Sequence, residues 1–114
     1  MKVAITSTGP KLGDPIGTRP NKCSYWLVVD SVTMECEAIP NPLTRVSGPA
    51  AGKFLAQILE EYRVKFILAG DYRCKQLKDL SENGMRVLFG MTGSARETVE
   101  KFNRSPFPEC CDFY

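Results

Sequence analysis

The residues that could do chemistry in this 114-residue chain fall into two sets, thiols and glycine-flanked cations. There are five cysteines, Cys23, Cys36, Cys74, Cys110 and Cys111, and no histidine. An odd count at irregular spacing, without a CxxC pair, does not read as a disulfide framework; reduced thiols are the expectation. Without histidine a Ser-His-Asp or Cys-His nucleophile is excluded, and so is a mixed Cys/His zinc site. A thiolate beside positive charge ionises easily and ligates soft metals such as iron or copper. Cys23 and Cys74 lie next to glycine loops and arginines, which makes them candidate metal ligands. The vicinal pair Cys110-Cys111 is a second candidate, for a soft metal or for pairing with another chain. Cys36 alternates with Glu35 and Glu37 and reads as a core residue.

The second set punctuates loops. Ser7, Gly17, Ser47, Gly48, Gly70, Asp71, Thr92 and Gly93 sit where strands end or helices begin. Arg19, Lys22, Arg45 and Arg73 lie in or beside the same loops. Glycine permits close backbone approach, and free N–H groups at helix starts attract anions. Arginine adds charge-assisted hydrogen bonds; Arg19 and Arg73 are favoured because each follows a glycine loop. The pattern suits a phosphate and a sulfide-bridged metal cluster equally well. The plainer alternative is a set of tight turns with solvated cations. Tyr25, Trp26 and Phe66 need no ligand and read as core.

These residues need elements to hold them. Val3 to Thr6 is a short apolar strand, followed by a long Gly/Pro-rich loop through Asn21. Tyr25 to Asp30 is an almost wholly apolar strand. Thr33 to Ile39 alternates with period two and forms a hairpin with it. Ser47 is the expected N-cap of a helix with Pro49 in its first turn. Its stripe is Ala51, Phe54, Leu55, Ile58, Leu59 and Tyr62. Phe66 to Ala69 is a buried strand, and a helix from about Cys74 to Glu82 packs through Leu77 and Leu80. Asn83-Gly84 stops that helix. Val87 to Phe89 is the last strand, and the last helix starts near Ser94 and packs through Ala95, Val99 and Phe102. The alternation implies an α/β domain with a parallel sheet and right-handed crossovers. One hairpin strand, the second or third of the chain, is antiparallel, with the return strand the first choice. In such a sheet ligands sit beyond the carboxyl ends of the strands. The loops after the first, fourth and fifth strands meet there, with the helix start at Ser47-Gly48. The reading is one domain over residues 1–104 and an irregular tail over 105–114.

Hydrophobic residues are 43% and charged residues 25%, an ordinary globular composition. A net charge of +2 does not imply a nucleic-acid partner. No apolar run is long enough to span a membrane. The start is too short and too soon broken for a signal peptide. The expectation is a cytoplasmic protein.

Several segments together resemble a known family: MKVAITS at the start, YWLVVD at 25–30, and Gly48-Pro49-Ala50-Ala51-Gly52 with AQIL after it. FILAGD at 66–71, NGMRVLFG at 83–90 and GSARETVEKF at 93–102 complete the set. The chain is similar to the dinitrogenase iron–molybdenum cofactor biosynthesis family of nitrogenase accessory factor-like domains, over about residues 1–104. The resemblance implies a three-layer α/β/α, ribonuclease H-like fold with a mixed five-stranded sheet of order 3-2-1-4-5. It also implies binding or carrying iron–molybdenum cofactor, its precursor or a related cluster; one relative carries a molybdenum–copper sulfide cluster. A cluster donor or acceptor protein would then be a partner. Departures are the longer stretch Ile16 to Cys23 in place of a compact FGR-like turn, the missing histidines, and the tail with Cys110-Cys111.

Three functions compete. A non-catalytic carrier of an anionic metal–sulfur cluster is favoured. A small-anion or protein-interaction domain without metal is the alternative. A metal-dependent nuclease is the remote one, since its carboxylates must converge on two metals, the first strand carries no acidic residue, and Asp30 with Asp71 alone does not make a convincing pair.

Overall fold

The computed structural model describes residues 1–17, 23–44, 50–70 and 75–104, the side chains of Lys75 and Gln76 apart. Five strands and three helices follow in the order β1 (Lys2–Ser7), β2 (Tyr25–Asp30), β3 (Cys36–Pro40), α1 (Ala51–Glu61), β4 (Val64–Leu68), α2 (Lys75–Glu82), β5 (Arg86–Leu88) and α3 (Ala95–Arg104). A short 3-10 turn, Pro42–Thr44, precedes α1. The strands form one mixed sheet of order β3-β2-β1-β4-β5, the expected α/β arrangement.

Strands β1, β4 and β5 are parallel, and β2 is antiparallel to both β1 and β3. The reversed strand is therefore the first of the hairpin. The return strand, the first choice from sequence, runs with β1, because two successive reversals restore direction.

The strands are apolar on both faces because both faces are covered. Side chains alternate across the sheet. Ala4, Trp26, Val28, Ile67 and Val87 join Leu55, Leu59, Leu77 and Leu80 in the core on the α1–α2 side. Val3, Ile5, Leu27, Val29 and Leu88 join Val99 and Phe102 beneath α3. There the rings of Phe66 and Phe102 lie 5.1 Å apart.

Four local expectations change. The return strand starts at Cys36, not Thr33, because residues 31–35 are a turn. Asp30 Oδ1 accepts the N–H groups of Val32 (2.9 Å) and Thr33 (3.2 Å), and Met34 adopts φ 64°. Cys36 is exposed rather than core: β3 is a sheet edge, and period two reveals alternation without saying which face is roofed. On α1, Phe54 is 44% exposed while Gly52 and Ala56 are buried. A Cβ on Gly52 would run into the Asp79 side chain, so α2 lies close against the small residues and the buried stripe rotates toward them. The N-cap position of α1 is Ala50, without a side-chain cap; Ser47 lies outside the described residues. No helix among the described residues is long and apolar enough to cross a membrane.

One reversed strand sorts the connections. Residues 8–24, 41–50, 69–74 and 89–94 join elements at the edge where β1, β4 and β5 end. The short turns at 31–35, 62–63 and 83–85 join them at the opposite edge.

Candidate functional site

The carboxyl edge is built by backbone hydrogen bonds around the end of β1. Thr6, fully buried, donates its hydroxyl to Gly17 O (2.6 Å), and Gly17 N donates to Thr6 O (2.9 Å). Ser7 Oγ donates to Gly9 O at 2.7 Å, so its hydroxyl serves its own loop. Ile16 N donates to Gly93 O (3.0 Å) and Pro15 forms a bridge with Ser94, lacing the loop after β1 to the loop after β5, while Thr8 N donates to Pro15 O (3.0 Å) within the first loop. Met91 N donates to Ala69 O at 3.0 Å and Gly90 N to Gly70 O at 3.4 Å. Ser7, Gly17, Gly70, Thr92 and Gly93 are thus carried on one edge.

The helix start at that edge is not an open anion site. The first N–H groups of α3 are all engaged. Ala95 N donates to Asp14 O (3.1 Å) and Arg96 N to Leu12 O (2.8 Å). Glu97 N donates to Ser94 Oγ (3.1 Å) and Thr98 N to Ser94 O (3.0 Å). Ser94 Oγ in turn donates to Glu97 Oε1 at 3.2 Å. Ser and Glu three apart form a capping pair, and the helix's positive end faces its own carboxylate. The expectation of free N–H groups fails at α3 for this reason.

Cys23 is the one predicted thiol ligand among the described residues, and it is buried, 6% exposed. A Cβ on Gly17 would stand 2.5 Å from Cys23 Cβ, so the two residues touch where a side chain has no room. Cys23 Sγ donates to Tyr25 O (3.5 Å) and accepts from Asn41 Nδ2 (3.3 Å) and the Ser7 backbone N–H. Burial outweighs these donors and pushes the thiol up to about 11. At neutral pH it is a protonated core thiol, not a thiolate. Asn41, 2% exposed, organises this corner. Its Oδ1 accepts from Trp26 Nε1 (3.0 Å) and Leu43 N (3.0 Å), and its Nδ2 also donates to Cys23 O (2.8 Å).

Between the two laced loops lies an open groove of about 510 Å³. Buried Ile16 and Met91 line it together with Gly13, Pro15, Thr92 and Gly93, and Glu97 is its one charged lining residue among those described. A smaller hollow of about 210 Å³ opens at the opposite edge beside Lys2, Asp30, Glu35, Cys36 and Glu37. Asp30 pairs with Lys2 at the start of β1, and its hydrogen bonds from Val32 and Thr33 hold its carboxyl below the usual range. It stands a strand's length from Gly70, so it cannot join a metal pair at the carboxyl edge. Among the described residues no group of three His, Cys, Asp or Glu side chains could hold a metal ion.

Arg19, Ser47, Gly48, Asp71, Arg73, Cys74, Cys110 and Cys111, with Lys22 and Arg45, lie outside the described residues. Sequence reasoning missed Asn41, Thr6 and Glu97. The Ser94–Glu97 spacing was a readable cap signal. Asn41, between two prolines, looked like a strand stop.

The sequence pattern described as "dinitrogenase iron-molybdenum cofactor" matches residues 1–105. The chain belongs to this family. Among solved structures, a fellow fold is the apo form of the orange protein from Desulfovibrio gigas. It is 25% identical, with a TM-score of 0.80, over 99% of this chain and 95% of that one. A putative NifB protein from Thermotoga is 22% identical, with a TM-score of 0.75, over 91% of this chain and 88% of that one. No curated protein matches the chain. The family match spans the carboxyl-edge loops as well as the core, and stops short of Cys110 and Cys111.

Proposed function

We propose that this family member binds and carries an anionic metal–sulfur cluster at its carboxyl edge and catalyses no reaction on it. The cargo is iron–molybdenum cofactor, its precursor or a related molybdenum, iron or copper sulfide. The observation that carries this reading is the family match over residues 1–105. One feature supports it, and two narrow which residues could hold the cargo. The loops after β1 and β5 are fixed to each other by backbone bonds, a preformed frame. Among the described residues the groove is lined by no cation and by one carboxylate; in this reading the positive charge for the cargo is assigned to Arg19, Lys22, Arg45 and Arg73. Cys23 keeps its proton at neutral pH and would have to break its hydrogen bonds to ligate a metal. Cys74, Cys110 and Cys111 are the thiols left for that role. The cargo is then held mainly by charge and backbone, and a reducing cytoplasm suits it.

The test is anaerobic protein mixed with tetrathiomolybdate and copper(I), or with isolated iron–molybdenum cofactor, followed by gel filtration. A charge-transfer band that travels with the protein is expected. Arg19→Ala and Arg73→Ala should each weaken retention about tenfold, the scale of one charge-assisted hydrogen bond. Colourless protein from every mixture sinks the reading.

A further inference from the structure

The outer side of β3 is an open sheet edge. Among the described residues only β2 pairs with this strand. Asp30 N donates to Glu35 O (2.9 Å) and Asn41 N to Ser24 O (3.0 Å), which fixes the phase of the ladder. In that phase Glu37 and Ile39 turn their backbone groups to β2. The N–H and C=O of Cys36 and Ala38, and the C=O of Pro40, therefore face outward. The last helix ends close by. Asn103 Nδ2 donates to Ser31 O (2.7 Å), so α3 finishes over the turn between β2 and β3. Ser31 N in turn donates to Met1 O (2.8 Å). Beside it two apolar side chains stand in water, Met1 56% and Val32 81% exposed. Ten residues, 105–114, follow α3 and lie outside the described residues.

We infer that residues 105–114 return along the outer side of β3 as a sixth strand, parallel to it. The direction fits: α3 runs back from the carboxyl edge, so a segment after it starts at the end where β3 starts. The hand fits as well. The crossovers β3–α1–β4 and β4–α2–β5 move one way across the sheet with both helices on one face. A return from β5 over α3 reverses both direction and face, and so keeps their hand. The reach is sufficient. The free side of β3 lies two strand spacings from β2, roughly 10 Å, and the extended residues 104–106 cover about that distance. The prolines set the register. In a parallel pair, alternate residues turn their backbone groups to the neighbour. Pro106 and Pro108 have no N–H to give and face outward, which leaves Phe107, Glu109 and Cys111 facing β3. Cys36 N then donates to Phe107 O, Glu109 N to Cys36 O, Ala38 N to Glu109 O, and Cys111 N to Ala38 O. The same prolines leave the new outer edge short of donors and discourage a further strand. On the way Phe107 passes Met1 and Val32. Glu35 and Glu37 make the edge acidic, which opposes pairing between two copies of the chain. A tethered segment overcomes the same repulsion at Glu109 and Asp112 through its high effective concentration. Cys110 and Cys111 arrive beside Ala38 and Pro40, at the carboxyl edge. Their use as ligands there rests on the cluster reading; the strand does not.

The test is amide hydrogen exchange, read by 15N NMR on the full, cluster-free chain. The amides of Cys36, Ala38, Glu109 and Cys111 should be protected. Glu109→Pro removes an inward N–H and should speed exchange at Ala38 about tenfold, the scale of one or two ladder bonds. Cys110→Pro removes only an outward N–H and should leave Ala38 protected. The amides of Trp26 and Val28, paired with Ile39 and Glu37, monitor the rest of the sheet and should not change in either variant. An unprotected Ala38 amide in the parent chain overturns the proposal. So does equal loss of protection in the two proline variants. Protection that rises with protein concentration also overturns it, since the occupant would then be a second copy. No cluster is present, so failure here leaves the cluster reading standing, and colourless protein in the cluster experiment leaves the strand standing.

Discussion

Cys23 couples the candidate edge to stability through one proton. Burial disfavours its thiolate and raises its pKa from the ordinary 9.0 to about 11 in the folded chain. A raised thiol pKa stabilises the fold fully below the unfolded value. That contribution fades as pH climbs from 9.0 to about 11, because only the unfolded chain readily gives up the proton. The loss across the window is on the order of 3 kcal/mol. Denaturant midpoints of wild type and Cys23→Ala should therefore converge as pH rises through it; parallel curves would show an ionised or exposed thiol. Gly17 is the companion case. Gly17→Ala places a Cβ against Cys23 Cβ, which is not the end of a flexible chain. The backbone must yield, at a cost of about 1–3 kcal/mol, read as a lowered melting temperature. Cys23→Ala leaves that clash intact, whereas Cys23→Gly should relieve it. None of this was legible in the sequence, where Cys23 beside cations looked like a thiolate. Neighbours in sequence do not say whether a side chain turns toward solvent or into a pocket made by Ser7, Tyr25 and Asn41.

Elements were more legible than their ends. The unbroken apolar runs of β1 and β2, the stop at Gly84 with φ +90°, and the packing of Leu77, Leu80, Val99 and Phe102 all follow from hydrophobic pattern and backbone freedom. The misses have local causes. Asp30 captures two N–H groups and delays β3, and small residues on α1 turn its stripe so that Phe54 emerges. The Ser94 cap permits a direct test. Ser94→Ala should cost about 1 kcal/mol in thermal or denaturant melts, and it should unfasten Glu97 as well. Asn41 is the stronger joint, since it ties β2 to the 3-10 turn. Asn41→Leu leaves the Trp26 indole N–H and the Leu43 N–H buried without this acceptor, a loss of roughly 2–4 kcal/mol. The emission of Trp26, the only tryptophan of the chain, should change in the folded state. An unchanged spectrum and melting curve would mean water replaces the amide easily.

At the scale of the molecule, both cores share one sheet. Val3, Ile5, Leu27 and Val29 face α3 while Ala4, Trp26 and Val28 face α1 and α2, so neither layer can melt without baring the other's floor. Unfolding should be a single transition. Trp26 fluorescence, reporting one layer, and far-UV circular dichroism, reporting all helices, should give the same urea midpoint; separate midpoints would divide the layers. The reversed β2 has a different consequence, in inheritance rather than energy. It gathers the long connections on one rim and leaves the opposite rim with turns of a few residues. Insertions, deletions and changes of charge can accumulate on the first rim without disturbing a single strand pair. A lineage built on this plan can exchange what it holds while keeping how it folds, and the 25% identity at a TM-score of 0.80 with the orange protein is the divergence such a layout tolerates.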